Sequence, residues 1–188
     1  RYLIFASVLF ASANSIFASD KMYYFTYNMG ISGVSITVLF AIVALSGIIF
    51  VPVVNWSKKY FDKRTQFIAG LSMCAGVMII FRFTGISSMF AAGIFMTAFG
   101  IGSMCYWQLM PNMIYDVCGL DELASGEQRQ GMIVSLQSIA ESIADGSGVL
   151  VLGFILEFAG FDDTAAVQTE AALVWVKNCL TLVPALLM

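Results

Sequence analysis

Residues 34–56 read VSITVLFAIVALSGIIFVPVVNW, without one ionisable side chain. A helix that crosses the roughly 30 Å hydrocarbon core of a bilayer needs about 20 mostly apolar residues. A strand of a membrane barrel needs only about ten, and these alternate apolar with polar. This run is continuously apolar and too long for such a strand, so it predicts a spanning helix. Similar runs occupy 2–27, 65–83, 87–110, 132–158 and 171–188, the last one short because the chain stops inside it. The connections are short, so neighbouring helices are expected to run antiparallel. The expected fold class is an all-α membrane protein, with one transmembrane unit over 1–188.

Composition agrees and removes several function classes. The chain is 60% hydrophobic and 11% charged, whereas a soluble domain carries about 25% charged residues. Phe occurs 16 times and His not at all, which weighs against an imidazole base or a His-bound metal. The net charge of −3 comes without a basic tail, and nucleic-acid binding needs a concentrated positive stripe. Cys74, Cys105, Cys118 and Cys179 form no CxxC pair and read as reduced, structurally neutral thiols. Arg1, the apolar run 2–10 and Ala11-Ser12-Ala13 imitate a secretory signal with its cleavage site. The apolar pattern continues to Ala18 and five further spans follow, so this segment reads as the first span. Both ends of the chain read as cut.

Punctuation separates the spans. Gly30 and Gly33 break the chain after the first, Gly85 after the third, and Gly160 with the polar stretch 162–170 after the fifth. Pro52 lies inside the second, where neighbouring helices can re-satisfy the backbone. Ala98 and Gly102 are small enough for close helix approach. With Arg1 on the cytoplasmic side, the inside set is Arg1, Lys58, Lys59, Lys63, Arg64 and Arg129, and the outside set is Lys21, Arg82 and Lys177. This bias supports an inside N-terminus. Tyr23, Tyr24, Phe25 and Tyr27 then gather at the outer interface, where an aromatic belt is expected. The sequon Asn55-Trp56-Ser57 falls at the cytoplasmic end and is discounted as a glycosylation site.

Polar side chains inside apolar spans are the informative ones, because ionisable groups there are expensive. In the fifth span Glu141 and Asp145 are four apart and share a helix face. Ser138 and Gly148 lie on the same stripe, and Gln137 sits one turn before Glu141. At 1.5 Å per residue Glu141 stands roughly 15 Å along its helix, near mid-bilayer. Two carboxyls placed there require a cation, a shared proton or a partner on another helix. Coupling-ion or substrate contact is one reading, and structural pairing between helices is the other. Asn14 in the first span is also near mid-depth. Asp20 and Lys21 point about 100° apart and are not expected to pair; Lys21 is expected to snorkel outward. Tyr106, Trp107, Gln108 and Asn112 form an amphipathic cluster near the inner face. It reads as an interface anchor, although Trp107 is also of the type that stacks on sugar rings.

Between the fourth and fifth spans the chain reads PNMIYDVCGLDELASGEQRQGM over 111–132, taken here as a charged loop. Its spacing resembles the glycoside–pentoside–hexuronide:cation symporter family, the melibiose-permease-like branch of the major facilitator superfamily. That family carries P-x-M-x-x-D-x-x-D-x-D-E-x-x-T-G-x-R-x-E-G-M between its tenth and eleventh helices. Pro111, Met113, Asp116, Asp121, Glu122, Gly126, Gly131 and Met132 match, with Ser125 standing for Thr and Arg129 one position past the pattern's Arg, which falls on Gln128. Residues 23–30 resemble the end of the family's seventh helix, and 58–64 its basic loop between helices eight and nine. The resemblance implies a six-helix C-terminal half of a major-facilitator-type bundle with its last helix truncated. Gly119 and Gln130 depart from the pattern. A Lys common in the family's eleventh helix is missing, and Glu141-Ser142 stands in that region.

What the resemblance implies is a secondary active transporter that moves a sugar or glycoside with Na⁺ or H⁺ by alternating access. The substrate- or ion-binding candidates are Glu141, Asp145, Gln137, Ser138, Asn14 and Trp107. Asp116, Asp121, Glu122 and Arg129 are candidates for an inner gate, because charged loops can pair when a gate closes and part when it opens. The other readings are a lysophospholipid-type transporter of the same branch, a non-transporting module, and a membrane enzyme using Asp116, Asp121 and Glu122 as metal ligands. The last lacks a nucleophile–base pair and a phosphate loop, so no enzyme, metal site or cofactor beyond a coupling cation is expected. The expected partners are the bilayer, an N-terminal six-helix half outside this chain and a small-molecule substrate. The expected location is the plasma (inner) membrane.

Overall fold

The computed structural model describes residues 2–162 and 168–188. Arg1 and the middle of the stretch 162–170 lie outside the described residues, and so does their part in the charge bias. Helix α1 (Tyr2–Tyr23) continues into a π-helical segment (Tyr24–Asn28). It is followed by α2 (Gly33–Ser57), α3 (Lys63–Thr84), α4 (Met89–Ser125), α5 (Gln130–Phe158) and α6 (Glu170–Leu187). Among the described residues six helices are long and apolar enough to cross a membrane, and no strand occurs.

The helices form two groups of three. In one, α5 and α6 pack on α1. In the other, α2 and α3 pack on α4 but scarcely on each other, and α3 against α6 joins the groups. Hydrocarbon gives helices no gain from hiding apolar side chains, so close backbone approach decides the contacts. A Cβ on Gly100 of α4 would stand 2.6 Å from the Val43 carbonyl oxygen of α2. One on Gly102 would meet Cys74 Cβ of α3 at 2.5 Å, and one on Gly70 of α3 would meet Cys105 Sγ at 2.7 Å. On the other side Gly148 of α5 sits against Ser12 and Ser15 of α1, with distances of 3.0 Å to a built Cβ. Gly102 thus makes the close approach its size suggests, whereas Ala98 lines an open cleft between α2 and α3.

Two apolar clusters fill the interior. Toward the end bearing Gly30 and Gly85, Phe17 stacks on Phe99 with ring centroids 3.6 Å apart, among Phe95, Met96, Cys179 and Leu180. Toward the end bearing Lys58–Arg64, Phe10, Tyr106, Leu109 and Met110 pack together. All four cysteines are free and buried.

Three expectations are corrected. First, 111–125 is not a loop. α4 runs 37 residues, or about 55 Å, and so projects beyond any hydrocarbon core. The polar residues there mark where the chain leaves the apolar layer; they do not end a helix. The stop comes at Gly126, whose φ of 73° and N–H to the Glu122 carbonyl make an αL cap. Pro111 is accommodated within α4, and Asn112 Nδ2 donates to the Gln108 carbonyl (2.6 Å) in the turn it disturbs. Second, Lys21 does not simply snorkel, because its ammonium lies 4.4 Å from the Phe40 ring centroid on α2. Third, the first span leaves the α-helical pattern at Tyr24, and Asn28 Nδ2 donates to the Leu173 carbonyl of α6 (3.0 Å).

Replacing Gly100 by Ala should lower the thermal midpoint of the purified protein, because Val43 backbone cannot yield as a side chain would; overpacking of this kind costs about 1–3 kcal/mol. Gly76→Ala on α3, where a Cβ meets nothing within 4 Å, should leave the midpoint unchanged. Equal midpoints for the two variants would refute the packing account.

Candidate functional site

The polar stripe of α5 is organised by a residue on α4. Tyr106 is 2% exposed and stacks on Phe10 of α1, centroids 3.7 Å apart and planes 10° from parallel. That stack fixes the ring so that its hydroxyl donates to Glu141 Oε1 at 2.5 Å. Gln137, one turn earlier on α5, donates Nε2 to the same oxygen at 3.0 Å. Glu141 Oε2 has no hydrogen bond among the described residues, and the side chain is only half-buried.

Asp145 follows one turn on, on the same face of α5. It is exposed. Its backbone carbonyl accepts from Ser15 Oγ of α1 at 2.6 Å, next to the close approach at Gly148. Ser138 is exposed, and its carbonyl accepts from Ser142. Asn14 is half-buried and stands one turn beyond Phe10 on α1, on the same side of that helix. Trp107 is 53% exposed and meets Tyr106 edge-on at 5.5 Å. The structure therefore links Glu141 with Gln137, and through Tyr106 with Trp107. No hydrogen bond ties Asn14 or Ser138 to the Glu141 carboxyl.

Chemically, this is a carboxyl with one oxygen held and the other open. A second carboxyl lies on the same face and an exposed indole beside it. Such a set can accept hydrogen bonds from hydroxyls or hold a cation. No base neutralises it, because the ion pairs among the described residues are Lys63–Asp116 and Arg129–Glu127.

Of the residues read as gate charges, Asp116, Asp121 and Glu122 sit on the projecting part of α4, and Arg129 precedes α5. Asp116 and Arg129 do not pair with each other. Asp116 Oδ2 takes Lys63 Nζ at the start of α3, 2.5 Å away. Arg129 holds Glu127 Oε2 through Nη2 at 2.6 Å, and Glu122 accepts from Gln128 at 2.9 Å. Asp116, Asp121 and Glu122 do not converge as ligands; no metal-holding group of three His, Cys, Asp or Glu occurs among the described residues. Nearby, Asn55 Oδ1 accepts from Lys58 (3.1 Å) and from Gln108 (2.7 Å), so the sequon's amide bridges α2 to α4.

Sequence reasoning missed two residues. Tyr106 was placed with the interface aromatics, yet it is interior. Asp20 is fully buried on α1, with neither carboxyl oxygen hydrogen-bonded. It continues the buried stripe Ala13, Phe17 and Tyr24, which its periodicity alone would have revealed.

The described residues hold six helices long and apolar enough to span a membrane, which makes this an integral, multi-pass membrane protein. The sequence pattern of the MFS/sugar transport protein family matches residues 1–188, and the chain belongs to that family. It is 27% identical over 193 residues to the uncharacterized symporter YjmB of Bacillus subtilis (strain 168). That alignment covers 98% of this chain and 39% of the relative, so the chain spans well under half of that relative's length. The resemblance read from 111–132 agrees with both.

A double-mutant cycle with Tyr106→Phe and Glu141→Gln should give a coupling of about 0.6 kcal/mol in unfolding free energy, and at most about 1.7, the average and the upper end for interhelical hydrogen bonds in membranes. Additive effects of the two substitutions would mean that the contact carries no energy.

Proposed function

We propose that this chain is the C-terminal six-helix half of a secondary active transporter of the plasma (inner) membrane. It moves a sugar or glycoside with Na⁺ or H⁺ by alternating access between two halves. The observation that carries the reading is the Tyr106–Gln137–Glu141 set. Three polar side chains meet inside otherwise apolar spans, and the open oxygen and Asp145 face a surface that this chain's own helices leave uncovered. A carboxyl directed at lipid would remain unsatisfied, so this surface calls for a wet cavity or a second half. In such folds substrate and coupling ion sit near mid-membrane between the halves. Family membership and the symporter relative support transport, and the exposed Trp107 suits a sugar face.

Glu141 and Asp145 bind the coupling ion or substrate hydroxyls, with Gln137 and Ser138 beside them and Asn14 and Trp107 on the facing helices. The charge bias places Lys58–Arg64 and the projecting end of α4 in the cytoplasm. There the Lys63–Asp116 pair ties α3 to α4 and sets where the gate charges stand, while Asp121, Glu122 and Arg129 face the opposing half.

In the full-length protein, Glu141→Gln should shift the Na⁺ or H⁺ dependence of sugar uptake by about tenfold in ion concentration, the effect of losing about 1.4 kcal/mol. Uptake with unchanged ion dependence, from a variant present in the membrane at normal amount, would leave Glu141 a structural role only. For the gate, Asp116→Asn or Lys63→Gln should slow uptake several-fold while substrate affinity stays within twofold, since they act on a conformational step. The exchange Lys63→Asp with Asp116→Lys should recover rate. Binding that falls in proportion to rate would sink the gate reading.

A further inference from the structure

Because α2 and α3 both lean on α4 and scarcely on each other, a cleft opens between them, floored by Ile101 and Cys105. Toward the basic end it holds ≈ 330 Å³, walled by Phe50, Val53, Ala69 and Met73. Met73 and Ile101 also line a second cleft of ≈ 720 Å³ that extends toward the other end of the bundle. A long apolar trough of this kind suits a hydrocarbon chain.

Three polar features gather where the narrower part ends. Residues 58–64 carry Lys58, Lys59, Lys63 and Arg64 against the single acid Asp62. Lys63 is engaged by Asp116 and Lys58 by Asn55. Lys59 and Arg64 are exposed and have no ion-pair partner among the described residues. Next, α3 starts here with Asp62 at its N-cap, and the Asp62 side chain makes no capping hydrogen bond. The first-turn N–H groups are thus left open, and helix N-termini of this kind attract phosphate. Finally, Gln66 lines the cleft. Its Nε2 donates to the Phe61 carbonyl at 3.2 Å, while its Oε1 is buried with no hydrogen-bond partner. A buried acceptor without a donor is costly, and a turn of the Gln66 side chain, which lines the cleft, would present this one to a ligand there.

We propose that the α2–α3 cleft binds one anionic phospholipid. Its phosphate lies between Lys59, Arg64 and the open first turn of α3, a headgroup hydroxyl donates to Gln66 Oε1, and an acyl chain lies along Phe50, Ala69 and Met73. Basic pockets between helices at the cytoplasmic face are suited to acidic headgroups. The orphan acceptor adds a further requirement, because a choline headgroup has neither the net charge nor a hydrogen-bond donor. Phosphatidylglycerol has both. A helix of a second copy would fill the trough but would bring no phosphate to the basic end.

The test titrates the full-length protein in detergent with phosphatidylglycerol or phosphatidylcholine and reads bound lipid by native mass spectrometry, with thermal midpoints to verify folding. Phosphatidylglycerol should bind at least tenfold tighter than phosphatidylcholine. Removing two charges with Lys59→Gln and Arg64→Gln should weaken it about 30-fold. Ala69→Phe, which fills the trough and leaves every charge in place, should weaken it as well. Equal affinity for the two lipids, or unchanged phosphatidylglycerol affinity in either variant, would overturn the proposal. So would competition by chainless glycerophosphoglycerol at the lipid's own concentration, which would indicate a plain anion site. Cross-links placing a second copy's helix in the cleft would overturn it too.

Discussion

The architecture rests on how near α4 lets its neighbours come. Gly100 and Gly102 are two residues apart, so they face roughly opposite sides of one helix; α2 seats on one and α3 on the other. The arrangement has a direct consequence. Two helices held on opposite flanks of a third cannot also pack along their length on each other, and the α2–α3 cleft is the space that remains. The remaining side of α4 turns toward α1, through Phe99 on Phe17 and Tyr106 on Phe10. Small residues on two flanks and aromatic rings on the third make α4 the axis of the unit.

The same helix shows how polarity is handled. Tyr106 combines an apolar body, buried against Phe10 and Phe67, with a hydroxyl that reaches α5. Its ring contributes packing in either direction, and its one donor meets the one carboxyl oxygen that faces inward. Asp20 presents the opposite case: fully buried, with two acceptor oxygens and no donor at either. Around it stand apolar groups and the Cys179 thiol on α6. A carboxyl at a protein–protein seam within one unit, rather than at the open face, sets Asp20 apart from Glu141 and Asp145.

Much of this was legible in the sequence because a bilayer imposes a simple rule. Any segment that crosses it must be apolar, about 20 residues long and helical, and 34–56 meets that rule without ambiguity. The stripe Glu141, Asp145 and Gly148 was legible for the same reason, as departures from apolarity at helical spacing. The end of α4 was not. Apolarity reports contact with lipid, whereas a helix ends where its hydrogen-bond ladder is capped, and at α4 these differ by about fifteen residues. Partners were not legible either. Nothing in the local pattern of Tyr106 tells an interface anchor from a buried donor, since both need one apolar and one polar end. The pairings Lys63–Asp116 and Gln108–Asn55 each join residues 53 apart in the chain. They follow from which helices α4 brings together, a matter of tertiary packing that periodicity does not encode.

How α5 is mounted ties the packing to the chemistry. It is held at two heights by two different helices. Near Asp145 and Gly148 it lies against α1, through the Ser15 hydroxyl on the Asp145 carbonyl and the close approach at Ser12. One turn nearer the basic end, it touches α4 through Tyr106 on Glu141, and α4 and α5 otherwise share little contact. The α1 mount is extensive and uses backbone, whereas the α4 mount is slighter, made of the Tyr106 hydrogen bond and the apolar edge of Ile133 and Val134. A small displacement of α5 with α1, relative to α4, would leave the Ser15 and Gly148 contacts intact, part Tyr106 from Glu141 and slide the Phe10–Tyr106 and Phe17–Phe99 stacks. The carboxyl would then lose a strong donor while keeping Gln137, which travels on the same helix. If Glu141 holds a ligand as proposed, the Tyr106 hydroxyl would be one link between that ligand and the relative position of α5 and α4. That linkage is the physical requirement for an ion or substrate at the open oxygen to bias one arrangement of the bundle over another, since a ligand shifts an equilibrium only by its differential affinity for the two states.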